Sequence, residues 1–177
     1  MLTVFFHNLK GFDSHIIMTY IYRNFAPSNI QIIPTTSEKY ISFQIGSLRF
    51  LDSLQFLNAS LDSLVQSLAK DGVDKFQQIQ RHFIGSDLVF QKDIYFYEYM
   101  DSRHKFDETK LPPTGQFYSH LKEDCTSEDN YAHAQNVWNE LNLQNLRQYH
   151  DLYLTLDVLL LADVFENFRR MSLDYYE

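Results

Sequence analysis

The chain has 177 residues, 45% of them hydrophobic, enough to bury one sizeable core; at roughly 100 to 200 residues per domain, residues 1–177 read as one domain. Fifteen Phe and 12 Tyr stand beside only 5 Gly and 4 Pro, which excludes a low-complexity, collagen-like or linker-rich chain. A net charge of −8 argues against a protein that coats nucleic acid through bulk electrostatics, yet it leaves open an enzyme that gathers carboxylates around divalent cations.

Leu2 to Phe6 is an apolar, β-prone run that stops at His7-Asn8, and Lys10-Gly11 reads as a turn. Asp13 or Ser14 can then cap a helix that runs to Phe25, with Ile16, Ile17, Tyr20, Ile21 and Phe25 at helical spacing and Pro27 as its stop. Ile30 to Ile33, Tyr40 to Ile45 and Leu48 to Leu51 read as strands, the last two joined by a tight Gly46-Ser47 turn. Leu61, Leu64, Val65 and Leu68 recur as on a helix from Leu61 to Leu68, and a second helical stretch, Val73 to Phe83, follows Asp71-Gly72. Tyr95 to Tyr99 is an aromatic run. Asp101 to Gly115, charged and carrying Pro112-Pro113, reads as an exposed loop. Thr126 offers a cap for a helix bearing Tyr131, Ala134, Val137, Trp138 and Leu141. The strongest pattern follows: a long helix from about Leu146 to Tyr175 that turns Leu152, Leu156, Leu159, Leu160, Val164, Phe165 and Phe168 toward a core.

The single Cys125 can form no internal disulfide and has no Cys neighbour for a zinc site, which suits a reducing, intracellular setting. No run approaches the roughly 18 apolar residues of a membrane span, and the apolar start is too short for a signal peptide. Seven His are scattered without ligand spacing.

Two stretches have the makings of chemistry. In His7-Asn8-Leu9-Lys10-Gly11-Phe12-Asp13, a carboxylate follows directly on a buried strand, where the sheet edge can hold it against a metal or a substrate. Plain capping of the next helix, a very common role, also explains Asp13, and turn chemistry explains Asn8. In Tyr153-Leu154-Thr155-Leu156-Asp157, the phenol and the carboxylate stand four residues apart on one helical face, so both address the same volume. An ordinary Tyr-Asp pair on a solvated face has the same spacing, although a carboxylate on a half-buried helix needs a partner. Lys92 ahead of Tyr95, Phe96, Tyr97 and Tyr99 can bring a phosphate contact beside base-stacking rings, and such a run also serves as core.

Taken in order, these stretches resemble the proofreading 3′→5′ exonuclease domain of protein-primed family B DNA polymerases, the enzymes of certain phages, adenoviruses, linear plasmids and Maverick/Polinton-type transposons. Asn8 to Asp13 is similar to the family's second exonuclease motif, Asn-x(2,3)-Phe/Tyr-Asp, and Tyr153-x3-Asp157 to its third, Tyr-x3-Asp. Ser53-Leu54-Gln55-Phe56-Leu57 resembles a Ser/Thr-Leu-x2-hydrophobic motif that contacts single-stranded DNA and the terminal protein, and Lys92-Asp93-Ile94-Tyr95 resembles a Lys-x2-hydrophobic motif. The wording is closest to the transposon-borne branch.

The resemblance implies an α/β, RNase H-like exonuclease fold, a mixed sheet flanked by helices. It makes Asp13 and Asp157 ligands of two Mg²⁺ or Mn²⁺ ions and has Tyr153 orient the attacking water while Lys92 steadies the scissile phosphate. Asn8 and Phe12 would grip the 3′-terminal nucleotides of single-stranded DNA, Ser53 and Leu54 would hold the strand, and Tyr97 would contact it. Terminal protein would be the partner of a full-length parent, nuclear in a eukaryotic host. One departure matters. The family's first motif, Asp-x-Glu, occurs nowhere in the chain, and neither do the polymerase palm motifs Asp-x2-Ser-Leu-Tyr-Pro and Tyr-x-Asp-Thr-Asp. The expectation is an N-terminally truncated domain, weak or inactive by itself; a catalytically inactive single-strand-binding module or a decayed transposon fragment is the alternative.

Overall fold

The computed structural model describes residues 1–10, 12–34, 36, 40–118 and 126–176, so Gly11 and Cys125 lie outside the described residues. The chain divides into two compact units, Met1–Ser60 and Leu61–Glu177.

The first unit is a four-stranded mixed sheet with one helix. β1 (Leu2–Phe6), β2 (Ile30–Pro34), β3 (Tyr40–Ile45) and β4 (Leu48–Asp52) lie in the order β1-β4-β3-β2. β1 runs parallel to β4, with Phe6 opposite Asp52; β3 is antiparallel to both its neighbours. The parallel pair requires a crossover between its strands. Part of it is α1 (Asp13–Asn24), whose Met18 and Ile21 join Leu9 and Phe43 in a buried cluster with Phe6, Ile17, Ile32 and Phe50 packed around it. Phe43 and Phe50, paired across the sheet, stack with centroids 4.7 Å apart. The tight turn is confirmed by Gly46 at φ 55°, and Pro34 is tolerated because it ends an edge strand. Among the described residues, β1 pairs on one side only.

Two local expectations change in this unit. Neither Asp13 nor Ser14 caps α1: the N-cap is Phe12, without a side-chain cap bond, Asp13 is the first helical residue, and Ser14 is fully buried. β4 also continues one residue further, to Asp52, and that residue proves central to the unit's strand ends.

The second unit is helical: α2 (Leu61–Lys70), α3 (Gln77–His82), α4 (Glu128–Glu140) and α5 (Leu146–Tyr176), joined by several 3₁₀ turns. α2 and α3 pack against α5. Val73 to Phe83 is not one helix. A 3₁₀ turn, Val73–Lys75, and α3 are separated by Phe76, which leaves helical space at φ −89°, ψ 63° while its ring is wholly buried. The helix cap falls one residue later than Thr126, because the Ser127 hydroxyl accepts from the Asn130 N–H at 3.2 Å. Within Asp101 to Gly115, a 3₁₀ turn spans Arg103–Asp107, and Leu111 packs on a core of Phe96, Phe117, Ala134, Leu146 and Tyr149. This segment is therefore partly packed, since Leu146 N–H also donates to Glu108 O at 2.8 Å.

α5 keeps most of the predicted face: Leu152, Leu156, Leu160 and Val164 are buried, as are Tyr149, Tyr153 and Asp163, whereas Leu159, Phe165 and Phe168 are only half-buried. Asp163, 1% exposed, accepts from Gln78 N–H (2.8 Å) and Ile79 N–H (3.0 Å), so a carboxylate on α5 caps the first turn of α3. Asp163→Ala strands both donors and is expected to destabilise the chain by about 2 kcal/mol, read as a lower urea midpoint. No helix among the described residues is long and apolar enough to cross a membrane.

Candidate functional site

In the first unit, the end of β1 and the end of β4 are tied together by one buried carboxylate. Asp52, 1% exposed, accepts from the backbone N–H of Asn8 (2.9 Å), Lys10 (3.2 Å) and Leu54 (3.0 Å). Asn8 sits at φ 72°, a left-handed conformation that asparagine tolerates better than most residues. Ser53 adds a second tie. Its hydroxyl donates to Phe6 O at 2.8 Å, while His7 places Nδ1 3.0 Å from Ser53 Oγ and donates from Nε2 to Ala59 O at 2.8 Å.

These ties hold the loop after β1 so that its chemistry faces solvent. Asn8, Phe12 and Asp13 are exposed, Phe12 at 72%, and the Asp13 carboxylate makes no hydrogen bond or ion pair among the described residues. An unpaired carboxylate in the first turn of a helix is favoured by the exposed N–H groups there. Ser53 is buried and Leu54 half-buried, so both act in this structure as braces of the strand ends.

In the second unit, the aromatic run divides its duties. Phe96 is buried in the core, whereas Tyr95 and Tyr97 turn toward α5. There Lys92, Tyr97, Tyr153 and Asp157 form one hydrogen-bonded cluster. Lys92 Nζ donates to Asp157 Oδ1 and Oδ2 at 2.5 and 2.6 Å and to Tyr153 OH at 2.9 Å, and lies 4.6 Å from the centre of the Tyr153 ring. The Tyr97 and Tyr153 hydroxyls are 2.7 Å apart. Side-chain exposures of 24% for Lys92 and 29% for Asp157 put the ion pair at the rim of the protein, within reach of a ligand. Tyr97 is 65% exposed and Tyr153 only 6%, so one ring projects outward from a hydroxyl fixed by the other.

Burial is the first cause that pushes the Tyr153 phenol up, and the Tyr97 hydroxyl, turned in on Tyr153 while the rest of its side chain is exposed, rises through local desolvation and then through that bond. Both keep their protons at neutral pH, so Tyr153 is suited to orient a water or a phosphate oxygen and unsuited to act as a base. Tyr95, 2.7 Å from His150 Nδ1 through its hydroxyl, is pushed up to about 12 by burial and by Tyr97. A folded-state value above the ordinary 10.0 means that Tyr95 supports the fold fully below pH 10 and loses that contribution as pH climbs toward 12. Tyr95→Phe should therefore flatten the fall in stability over that window and remove a late component from the tyrosinate absorbance titration.

Asp93, beside Lys92, is 5% exposed; burial raises its carboxyl against the opposing hydrogen bond from Ile94 N–H at 2.8 Å. Its ionised form is thus carried at a cost near neutrality. Asp93→Asn is expected to raise the melting temperature at pH 7 more than at pH 4, a difference measurable by calorimetry.

Among the described residues, no three His, Cys, Asp or Glu side chains gather into a group that could hold an ion. Asp157 stands as the carboxylate of its cluster with both oxygens on Lys92, and Asp13 stands alone in the other unit. Among the described residues, neither unit by itself gathers the donors of a two-ion site. Three contributors escaped sequence reasoning. Asp52 and Asp163 act on backbone N–H groups far away in the chain, and His150 reaches Tyr95 across 55 positions, so no local spacing announces them. Asp52 did leave one trace, its position immediately before Ser53-Leu54.

Against known families, the chain matches the model described as DNA polymerase type B, organellar and viral, over residues 2–177. No curated protein and no solved structure matches it.

Proposed function

Because the chain belongs to the organellar and viral type B DNA polymerases, we propose that it is their proofreading region and that its substrate is the 3′ end of a single DNA strand. The observation that carries the proposal is the cluster in which Lys92 joins Tyr153 and Asp157 while Tyr97 projects outward on a hydroxyl held by Tyr153.

Each residue has a task within that reading. On the first unit, Phe12 offers an exposed ring for a terminal base, since base–aromatic stacking is worth about 1–3 kcal/mol, and Asn8 offers an amide to the sugar or base edge. Ser53 and Leu54 support that grip through the strand ends they brace. On the second unit, Tyr97 contacts the strand, Tyr153 holds the water or phosphate oxygen with a retained proton, and Lys92 meets the scissile phosphate as a point charge. Mg²⁺ or Mn²⁺ on Asp13 and Asp157 belongs to the proposal as a requirement, and chelation with EDTA is expected to stop nucleotide release. The fold proposed to carry these residues is RNase H-like, one exonuclease domain in a longer polymerase that also meets a terminal protein.

A second reading is favoured by one observation: no ion-holding group assembles among the described residues, which suits a module that binds single strands without turning them over. The purified chain incubated with 3′-labelled single-stranded DNA and Mn²⁺ separates the two. Release of the labelled nucleotide supports the exonuclease; retention of bound, uncut strand supports the binding module.

A further inference from the structure

Three contacts meet around His7, and they call for three hydrogens. Its Nε2 lies 2.8 Å from Ala59 O, its Nδ1 lies 3.0 Å from Ser53 Oγ, and Ser53 Oγ lies 2.8 Å from Phe6 O. Carbonyl oxygens only accept, so Nε2 must carry the hydrogen for Ala59, and the Ser53 hydroxyl must give its one hydrogen to Phe6. A neutral imidazole has a single N–H, which leaves the contact between Nδ1 and Ser53 with none. Turning the hydroxyl toward Nδ1 only moves the gap, because the contact between Ser53 and Phe6 then has no hydrogen. Ser53 is fully buried, so a bond left unmade there costs the desolvation of its groups. An imidazolium has a hydrogen on each nitrogen. With it, Nδ1 donates to Oγ, Oγ donates to Phe6 O and Nε2 donates to Ala59 O, and every contact is made.

The charged groups on the elements that bear these contacts suit a cation. Asp52, level with Phe6 and next to Ser53, is negative and accepts from the N–H of Asn8, the peptide that follows His7. Residues 53–60 carry no charge, and Asp62 is the next charged residue beyond them. Arg49 on β4 stands opposite Thr3, four residues back from His7. Lys10, Asp13 and His15 follow in the loop and α1, all exposed and screened by solvent. We propose that His7 is a positioning residue for the loop of Asn8, Phe12 and Asp13, and that it acts as an imidazolium, taking up a proton as the bridge from the ends of β1 and β4 to Ala59 closes. Histidine exchanges its proton between about pH 5 and 8, so the bridge is complete in acid and loses its Nδ1 bond as pH rises. Asn8 comes directly after His7 with its backbone at φ 72°, and the exposed Phe12 ring follows, so the course of the loop is expected to loosen with that bond. Only the further step, a weaker hold on the 3′ end of a single strand, rests on the proofreading reading; the bridge itself rests on the count of hydrogens.

Two measurements on the full chain test the bridge without DNA. In the first, long-range ¹H–¹⁵N correlation spectra follow both ring nitrogens of His7 from about pH 5 to about pH 8. Both are expected to carry hydrogen in acid, with Nδ1 losing its own as pH rises while Nε2 keeps its bond to Ala59 O. In the second, amide hydrogen exchange is read at Asn8 and Lys10, the N–H groups held by Asp52. After correction for the intrinsic pH dependence of exchange, their protection is expected to be about tenfold greater at about pH 5 than at about pH 8, and independent of pH in His7→Gln. Ser53→Ala removes the acceptor of Nδ1 and should abolish the response as well. An Nδ1 without hydrogen at the acid end, or amide protection indifferent to pH in the parent chain, overturns the proposal whether or not the variants fold. A His7→Gln chain that keeps the response overturns it too. Fluorescence anisotropy with a labelled single-stranded oligonucleotide then reads the dependent step, with affinity about tenfold higher at the acid end in the parent and most of that difference gone in His7→Gln. A bridge that responds to pH in a chain that binds no single strand upholds the proposal and removes the proofreading reading, whereas a strand bound by a chain whose bridge ignores pH does the reverse.

Discussion

Asp52→Ala is expected to destabilise the chain by about 4 kcal/mol, because three backbone N–H groups lose a charged acceptor at once and hydrogen bonds to charged groups are each worth about 1.5–3 kcal/mol. Against a total stability of roughly 5–15 kcal/mol for a domain, that is a large fraction. The loss is also local in its consequences. Asn8 would keep a left-handed backbone with its anchor gone, so the loop that presents Phe12 and Asp13 would lose its fixed course. Urea unfolding of the variant should show a midpoint far below that of the parent, and affinity for single-stranded DNA should fall with it. Asp13→Ala is the matching control. Its carboxylate is exposed and makes no bond among the described residues, so the change should leave stability within about 0.5 kcal/mol while altering the chemistry of the loop. A variant at Asp52 that melts with the parent would show that the strand ends are held by something other than this clamp.

The second large effect is on turnover. Asp157→Asn is expected to lower nucleotide release by roughly 10²- to 10³-fold, the range seen when a single preorganised electrostatic contact is removed from an active site. The amide keeps the shape of the carboxylate but loses its charge, so it holds Lys92 weakly and has no charge for a cation. Stability should change far less, by about 1 kcal/mol or below, since the Lys92–Asp157 pair is about a quarter exposed and solvent screens it. Release assays and thermal melts on the same preparation therefore diverge if Asp157 serves chemistry and move together if it serves only the fold. Alkaline pH should not rescue the variant through Tyr153, because burial holds that phenol protonated beyond the ordinary tyrosine range.

Much of the secondary structure was legible because it is written in local periodicity. Strand β1 stops where the apolar run meets His7-Asn8, the β3–β4 hairpin turns at Gly46, and α5 buries Leu152, Leu156, Leu160 and Val164 as their spacing requires. What periodicity does not encode is the backbone angle of a single residue. Phe76 fits an apolar helical pattern, yet its ring is buried by leaving the helix, which breaks the expected Val73 to Phe83 stretch in two. Caps were misplaced for a related reason: Asp13, Ser14 and Thr126 are all capable cap residues, and which one sits at the boundary depends on where the first helical angle falls.

The cluster on α5 was half legible. The four-residue spacing put Tyr153 and Asp157 on one face, and resemblance to a family motif singled out Lys92, but nothing local says that a lysine 65 positions before Asp157 will give it two of its donors. The aromatic run next to it shows the same limit. Tyr95, Phe96 and Tyr97 read alike in sequence, whereas the chain sends Phe96 into the core and leaves Tyr97 65% exposed. The clamps themselves were not legible beyond the place of Asp52 next to Ser53-Leu54, since Asp52 and Asp163 act on backbone N–H groups 44 and 85 positions away, respectively, and a buried carboxylate finds such partners only through the fold.

The proposed contact of a single strand's 3′ end with an exposed ring, Phe12 in one unit and, separately, Tyr97 in the other, carries the most weight. It is tested most directly by photocrosslinking an oligonucleotide that carries 5-iodouridine at its 3′ terminus and mapping the adducts by mass spectrometry. The prediction is adducts concentrated at Phe12 and Tyr97, much reduced when the iodouridine is moved to the 5′ terminus. Adducts spread over other aromatic residues, or equal yields from the two ends, would contradict it.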